Sequence, residues 1–275
     1  MILVTMAAGN VGLPLVEQLH SAGLPVRAST LDADRDRLPA GIDVVGGDIT
    51  DPTVLDKAFA GVEALFLATS HPANEGPVLR QAEQAGVRRV VLLSSLSASE
   101  LPDSPVSAEF RRIEQAVQAS SLAWTILRPQ GFASTMLSLG WLPMFHQGTI
   151  RAPLATKAVP VIHPADIASV ARTALIEDGH HGRTYELTGP EALTLPEQVQ
   201  QIGTEIGRDL TFDELTVERA RDELQQYAPA MVVDYFLSVW GAVRPDVRDT
   251  VEAVTGRPAR TFRQWARENA ELFDE

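Results

Sequence analysis

The first residues with chemistry in them are Thr5-Met6-Ala7-Ala8-Gly9-Asn10-Val11-Gly12, set between an apolar run at 2–5 and an amphipathic stretch at 11–22. A turn that leaves a buried strand and opens a helix offers backbone N–H groups and the positive end of a helix dipole, which suits a pyrophosphate. Glycine serves such a turn in three ways: a tight bend, close approach of backbone to phosphate, and close helix–strand packing. Gly9 and Gly12 fill the second and third places, while Met6 holds the first. Either Met6 takes a positive φ, costing on the order of 1–3 kcal/mol, or the turn takes a shape methionine tolerates and the side chain projects toward the phosphate site. Met6, Gly9, Asn10, Val11 and Gly12 are the candidate dinucleotide-binding residues, and an empty or repurposed crevice is the competing reading.

Proton-transfer groups come next. His71 lies just past an apolar run at 64–68, Ser95 closes one at 90–94, and His146 sits in a segment at 141–147 expected to face the crevice. These three are the catalytic candidates, as general acids or bases. The remaining histidines read as structural: His20 on a helix surface, His163 near a helix start, His180 and His181 in a glycine-flanked turn with no carboxylate beside them. No metal site is predicted. Ser94, Ser95 and Ser97 lack the G-x-S-x-G elbow of a hydrolase. Asp48 and Asp51 suit a turn capping the next helix as well as a binding pair, and Glu114 reads as structural.

These side chains need a scaffold. Strands are expected at 2–5, 26–30, 43–45, 64–68, 90–94 and 124–127, with helices at 11–22, 52–59, 73–85 and 105–120. Strands apolar at consecutive positions and separated by helices imply a parallel sheet covered on both faces, the doubly wound α/β pattern with ligands at the carboxyl ends of its strands. Further on, a strand at 159–162, a helix at 165–176 that Asp166 could cap, and a strand at 185–187 are expected. Helices are then expected at 195–206, 217–226, 230–242, 246–254 and 262–273. The division predicted is a Rossmann-like core at 1–189, with 131–158 an excursion to the substrate side, and a smaller, mainly helical lobe at 190–275. Met231, Val232, Tyr235, Phe236, Val239 and Trp240 share one helical face, either packed in the core or walling a pocket.

Composition narrows the function. The chain has 275 residues, 45% of them hydrophobic, with no cysteine and a net charge of −13. Absence of cysteine excludes disulfides, thiol nucleophiles and thiolate metal sites. The acidic balance argues against nucleic acid, and no apolar run is long enough to span a membrane. The opening MILVT lacks a basic leader, so a cytoplasmic protein is expected. Its partner is then a small-molecule substrate, with a homodimer allowed.

The segments T-M-A-A-G-N-V-G, Gly47-Asp48-Ile49-Thr50-Asp51-Pro52, Val91-Leu92-Leu93-Ser94-Ser95 and Trp124-Thr125-Ile126-Leu127-Arg128-Pro129 carry a family resemblance. With Leu187-Thr188-Gly189-Pro190 and Thr255-Gly256-Arg257-Pro258, the chain resembles the NmrA-like branch of the atypical short-chain dehydrogenases/reductases over nearly its whole length. The resemblance implies a Rossmann fold binding NADP or NAD. It places Asp48 and Ile49 against the adenine, Ala68, Thr69 and Ser70 along the cofactor, Ser94 and Ser95 near the nicotinamide, and the loop from Pro129 through Gln130 and Gly131 to Phe132 between cofactor and substrate.

Departures from that pattern bear on chemistry. The Tyr-x-x-x-Lys dyad of the better-known short-chain dehydrogenases is absent: four residues beyond Tyr185, Tyr227 and Tyr235 stand Gly189, Met231 and Val239. Phe110 stands where the branch often has Lys or His before its Ile-Glu pair, and Leu31 where an arginine often takes the 2′-phosphate. Arg27, Arg35, Arg37 and Asp32 lie nearby, leaving NAD and NADP both open. The expected function is an NAD(P)H-dependent reductase of a quinone, enone or similar carbonyl compound. A non-redox isomerase, dehydratase or cyclase on the same fold and a dinucleotide-sensing regulator are the alternatives.

Overall fold

Three consecutive apolar residues, Ile2–Val4, form β1 and are buried on both faces, so layers must cover this strand above and below. A computed structural model describes residues 1–68, 75–242 and 244–274. After β1 come α1 (Gly12–Ser21), β2 (Val26–Thr30), β3 (Asp43–Gly46), α2 (Pro52–Phe59), β4 (Ala64–Leu67) and α3 (Glu75–Gln84). Next are β5 (Arg89–Leu93), the short α4 (Ser97–Glu100), α5 (Pro105–Ala119) and β6 (Ala123–Pro129). The chain then runs through α6 (Trp141–Gln147), β7 (Thr149–Ala152), β8 (Ala158–Val159), α7 (Pro164–Ile176) and β9 (Arg183–Leu187). It finishes with β10 (Leu193–Thr194), α8 (Leu195–Ile206), β11 (Thr211–Glu214), α9 (Val217–Leu224), α10 (Ala230–Ala242), α11 (Thr250–Thr255), α12 (Phe262–Glu268) and α13 (Ala270–Asp274).

The main sheet has the order β3-β2-β1-β4-β5-β6-β9, and every pair in it is parallel. Strand order reverses between β1 and β4, which opens a crevice at the carboxyl ends of these strands. Leu15, Val16 and Leu19 of α1 and Ile167, Val170 and Ala171 of α7 cover one face. On the other face Leu55 and Phe59 of α2, Val78 and Leu79 of α3, and Ile113 and Val117 of α5 pack against Leu3, Leu65 and Leu67. Each such fully buried Leu, Ile or Phe side chain is worth about 1.5–3 kcal/mol. The architecture is the expected doubly wound, Rossmann-like sheet with a helical C-terminal region.

A third cluster joins residues from two separated stretches, Ala133 to Val161 and Leu193 to Phe273. Trp141 and Phe145 of α6 lie inside it against Leu237 and Trp240 of α10, with Phe262 and Trp265 of α12. The last stretch also reaches back to the sheet, because Val251 of α11 packs in the cluster around α1 and α7.

Several local expectations are corrected. His163, not Asp166, caps α7: its Nδ1 accepts the Ala165 N–H at 3.1 Å, while Asp166 pairs with Arg260. The helix expected at 246–254 begins only at Thr250, since the Arg248 N–H is given to Thr188 Oγ1 at 2.9 Å. The helix expected at 262–273 breaks at Asn269, whose side chain donates to the Trp265 carbonyl. The parallel pair β7 and β11 and the short β10 were not expected, because two to four residues carry too little periodicity to read.

Candidate functional site

The turn after β1 is held from both sides. Thr5 Oγ1 donates to the Ala68 carbonyl at 2.7 Å and accepts the Ala68 N–H at 2.8 Å, tying the ends of β1 and β4 together. The Ala7 N–H donates to the Ser29 carbonyl of β2 at 3.0 Å, and the Gly9 N–H to the Met6 carbonyl at 2.9 Å. Gly12 has no room for a side chain, since an added Cβ would lie 2.2 Å from the Met6 oxygen. Of the alternatives posed for Met6 the first is realised, with φ at +49°, and the side chain is nevertheless 43% exposed and lines the crevice.

Beside the turn lies a cavity of about 240 Å³, lined by Met6, Gly9, Thr30, Leu31, Asp48 and Ile49, with Asp34 and Arg37 at its rim. Asp48 Oδ1 accepts from both the Thr50 N–H and the Thr50 hydroxyl at 2.8 Å, which shapes the loop that walls the cavity. Asp51 instead caps α2 through the Thr53 N–H, and that hydrogen bond lowers its pKa. Arg27 is turned away from the crevice, because it pairs with Asp43 and holds the carbonyls of Lys57, Ala58 and Ala60. Arg35 faces Asp32, and Arg37 faces Asp34, each pair at 3.8 Å.

At the other end, past β5 and β6, the side chains are pinned differently. Ser94 Oγ donates to Glu114 Oε1 at 2.5 Å, and Arg128 grips the same carboxylate through Nε at 2.9 Å and Nη2 at 2.6 Å. Glu114 is 3% exposed, and its hydrogen bond raises the Arg128 pKa. The Ser94 hydroxyl is thus directed into the α5 interface, not toward the crevice.

Ser95 and Ser97 meet a residue from far along the chain. Tyr235 Oη of α10 lies 2.8 Å from Ser97 Oγ and 3.3 Å from Ser95 Oγ, and Ser97 Oγ donates to Ser95 Oγ at 3.0 Å. Ser97 is buried, whereas Ser95 and Tyr235 are partly exposed. Five residues on, Trp240 packs over Gly131 in the loop after β6. Helix α10 therefore roofs the ends of β5 and β6, with Phe236 and Trp240 stacked edge to face on Trp141. Tyr235 has Val239, not a lysine, four residues on, so no dyad marks it in the sequence. Its place on an apolar helical face was the sole signal.

The sequence candidates are not all gathered here. His146 lies on the exposed end of α6, where Nε2 meets the Leu272 carbonyl at 3.1 Å, and the fold does not bring it to the crevice. Thr69, Ser70 and His71 lie outside the described residues. Ala68 borders the cavity, Pro129 ends β6, and Phe132 is bridged to Ile162. His163 is buried between Ala165 and Glu268, and burial lowers its pKa. Among the described residues, no group of three or more His, Asp or Glu side chains is arranged to hold a metal ion, and no helix is long and apolar enough to cross a membrane.

The crevice fits a dinucleotide on its own terms. Helix α1 has no side-chain cap and no acidic residue in its first turn, so its N-terminal end is left for an anionic ligand. Gly9 and Gly12 allow close approach, and the adjoining cavity suits an adenosine. When bound, a reduced nicotinamide cofactor would supply a hydride, and the residues of this chain would position and polarise the substrate. Residues 7–177 match the profile of the NAD(P)H-binding family. The chain is 40% identical to the (4-alkanoyl-5-oxo-2,5-dihydrofuran-3-yl)methyl phosphate reductase of Streptomyces griseus, over 99% of both chains. It is 33% identical to the NAD(P)H azoreductase of Xenophilus azovorans, again over 99% of both. The NADPH complex of the Escherichia coli quinone oxidoreductase QOR2 superposes with a TM-score of 0.80 at 26% identity, covering 98% of this chain and 99% of that one. The chain belongs to the NAD(P)H-binding family, in its NmrA-like branch of atypical short-chain dehydrogenases/reductases, and is an oxidoreductase.

Proposed function

We propose that this oxidoreductase reduces a small conjugated carbonyl compound, an enone or a quinone. The observation that carries the reading is the hydroxyl group of Ser95, Ser97 and Tyr235 beneath an aromatic helix, at the crevice end opposite the phosphate turn. Flat conjugated acceptors match aromatic walls, and a hydroxyl polarises a carbonyl oxygen. The substrate in the S. griseus relative's name is a ring alkene conjugated to two carbonyl groups, which supports the enone class.

In this reading Met6, Gly9, Asn10, Val11 and Gly12 hold the pyrophosphate, Asp48 and Ile49 the adenine, and Ala68, Pro129 and Phe132 flank the nicotinamide half. Arg37 serves the 2′-phosphate of NADPH and Asp34 the ribose hydroxyl of NADH, so both cofactors are accepted. Residues 131–158 and 190–275 form the substrate side, and the protein works in the cytoplasm, where reduced nicotinamide is supplied.

Calorimetry with NADPH and NADH, followed by NADPH consumption with menadione and 2-cyclohexen-1-one, tests the reading. Micromolar binding with turnover of either acceptor supports it, and binding without turnover of any quinone or enone sinks it.

A further inference from the structure

A reduction of this class consumes a proton as well as a hydride, and the chain lacks the usual tyrosine–lysine pair to supply it. We infer that Tyr235 is the proton donor to the substrate oxygen, with Ser97 and Ser95 holding its hydroxyl in place. The assignment rests on the reductase reading, and on three observations independent of any relative. First, Tyr235 Oη is 2.8 Å from Ser97 Oγ and 3.3 Å from Ser95 Oγ, at the carboxyl end of β5. Second, the Ser94 hydroxyl and the Glu114 carboxylate are already bound to each other, and Arg128 holds the same carboxylate. Third, Tyr235 stays partly exposed while Ser97 is buried, so of the two residues the tyrosine is the one an incoming substrate can meet.

The proton arithmetic closes. Hydride from the reduced nicotinamide brings an electron pair and one hydrogen to the β-carbon of an enone, the alkene π pair shifts to join the α-carbon to the carbonyl carbon, and the carbonyl π pair moves onto the oxygen. The Tyr235 O–H bond breaks and its proton joins that oxygen. The phenolate accepts hydrogen bonds from Ser97 and Ser95 until solvent water returns a proton, and the enol becomes the saturated ketone in water. A quinone is reduced by the same electron pair, but its hydroquinone oxygens collect protons from water readily. Dependence on Tyr235 is therefore steep for enones and shallow for quinones.

The test compares the parent protein with Tyr235→Phe and Ser97→Ala. The first measurement is calorimetric binding of tetronic acid, an enol ionised at neutral pH that resembles the enolate oxygen, in the presence of NADP+. Tyr235→Phe should weaken that binding about tenfold or more, the loss of one hydrogen bond to a charged oxygen, with NADP+ affinity and melting temperature unchanged. The second is turnover: kcat with 2-cyclohexen-1-one should fall about 100-fold at similar KM, and with menadione by less than about tenfold. Ser97→Ala, which leaves the phenol but removes its backing, should fall between the two. A phenylalanine variant that binds tetronic acid as the parent does, or keeps cyclohexenone turnover, overturns the assignment. So does a parent protein that does not bind tetronic acid. If the parent and variant differ in tetronic acid binding yet neither consumes NADPH, the reductase reading fails while the placement of the Tyr235 hydroxyl against an oxyanion stands.

Discussion

The two ends of the crevice are built in opposite ways. The phosphate end is one uninterrupted stretch, Thr5 to Gly12, fixed by hydrogen bonds to the strands on either side of it. The β5–β6 end is assembled from Ser95, Ser97, Gly131, Tyr235 and Trp240, so that its key hydroxyl contact spans 140 positions in the chain. One end is specified by local backbone geometry and the other by how α10 packs over the ends of β5 and β6. Damage to the first should therefore abolish cofactor binding, whereas damage to the second should leave it.

The harshest way to break the contrast is Gly12→Val. Its side chain would collide with the Met6 carbonyl and the Ala7 backbone, costing more than about 3 kcal/mol. Denaturant titration should record that loss, and NADPH binding should vanish with it; intact binding would mean the local geometry is not what holds the phosphate. At the opposite end, Glu114→Ala strands the Arg128 guanidinium half-buried without its carboxylate, a loss of about 3 kcal/mol. In that variant NADPH affinity, measured below the unfolding transition, should stay within about threefold of the parent, under 1 kcal/mol.

A finer cut lies within the cofactor end. Arg37→Glu should move the NADPH-to-NADH affinity ratio toward NADH about tenfold, or 1.4 kcal/mol, and Asp34→Asn should move it the other way. Identical ratios in all three proteins would remove both residues from cofactor choice.

The seam between the two ends has a pH signature. His163 accepts the Ala165 N–H and reaches Glu268, and burial holds its pKa below the ordinary 6.5. The folded chain then binds fewer protons there than the unfolded one, so stability is full above pH 6.5 and declines as pH falls beneath it. Melting curves from neutral to mildly acidic pH should show this decline, and His163→Asn, which keeps a cap acceptor, should flatten it. The smallest effect is expected from Met6→Gly. Relief of the left-handed conformation, about 1–2 kcal/mol, is offset by added freedom of the unfolded chain, about 0.4–1 kcal/mol. A slightly raised melting temperature with NADPH affinity unchanged or improved is the outcome to look for.

What could be read without coordinates follows the same division. The parallel sheet was legible because its strands are short, apolar and separated by amphipathic helices. The glycine turn after β1 was legible because its glycines must be neighbours in sequence. Tyr235 was not, since it lies on a stripe shared with Phe236 and Trp240 and nothing local marks one hydroxyl among them as facing Ser97. His146 misled for a related reason: a histidine beside a tryptophan and a phenylalanine suggests a pocket wall, yet its helix turns it outward onto the Leu272 carbonyl. The α7 cap went to His163 instead of Asp166 because Arg260, nearly a hundred positions away, claims the carboxylate.

That last arrangement also joins parts of the chain that lie far apart in sequence. Asp166 with Arg260 and His163 with Glu268 bolt the start of α7 to the terminal helices, and Gln18 of α1 donates to the Ala165 carbonyl at 3.0 Å beside them. Helix α1 is thus linked through the start of α7 to the last helices of the chain. Separating these elements would break the Asp166–Arg260 and His163–Glu268 pairs together. The connection from α9 to α10 and the first turn of α10 are tied down far less, for Tyr227, Met231 and Val232 stand exposed there.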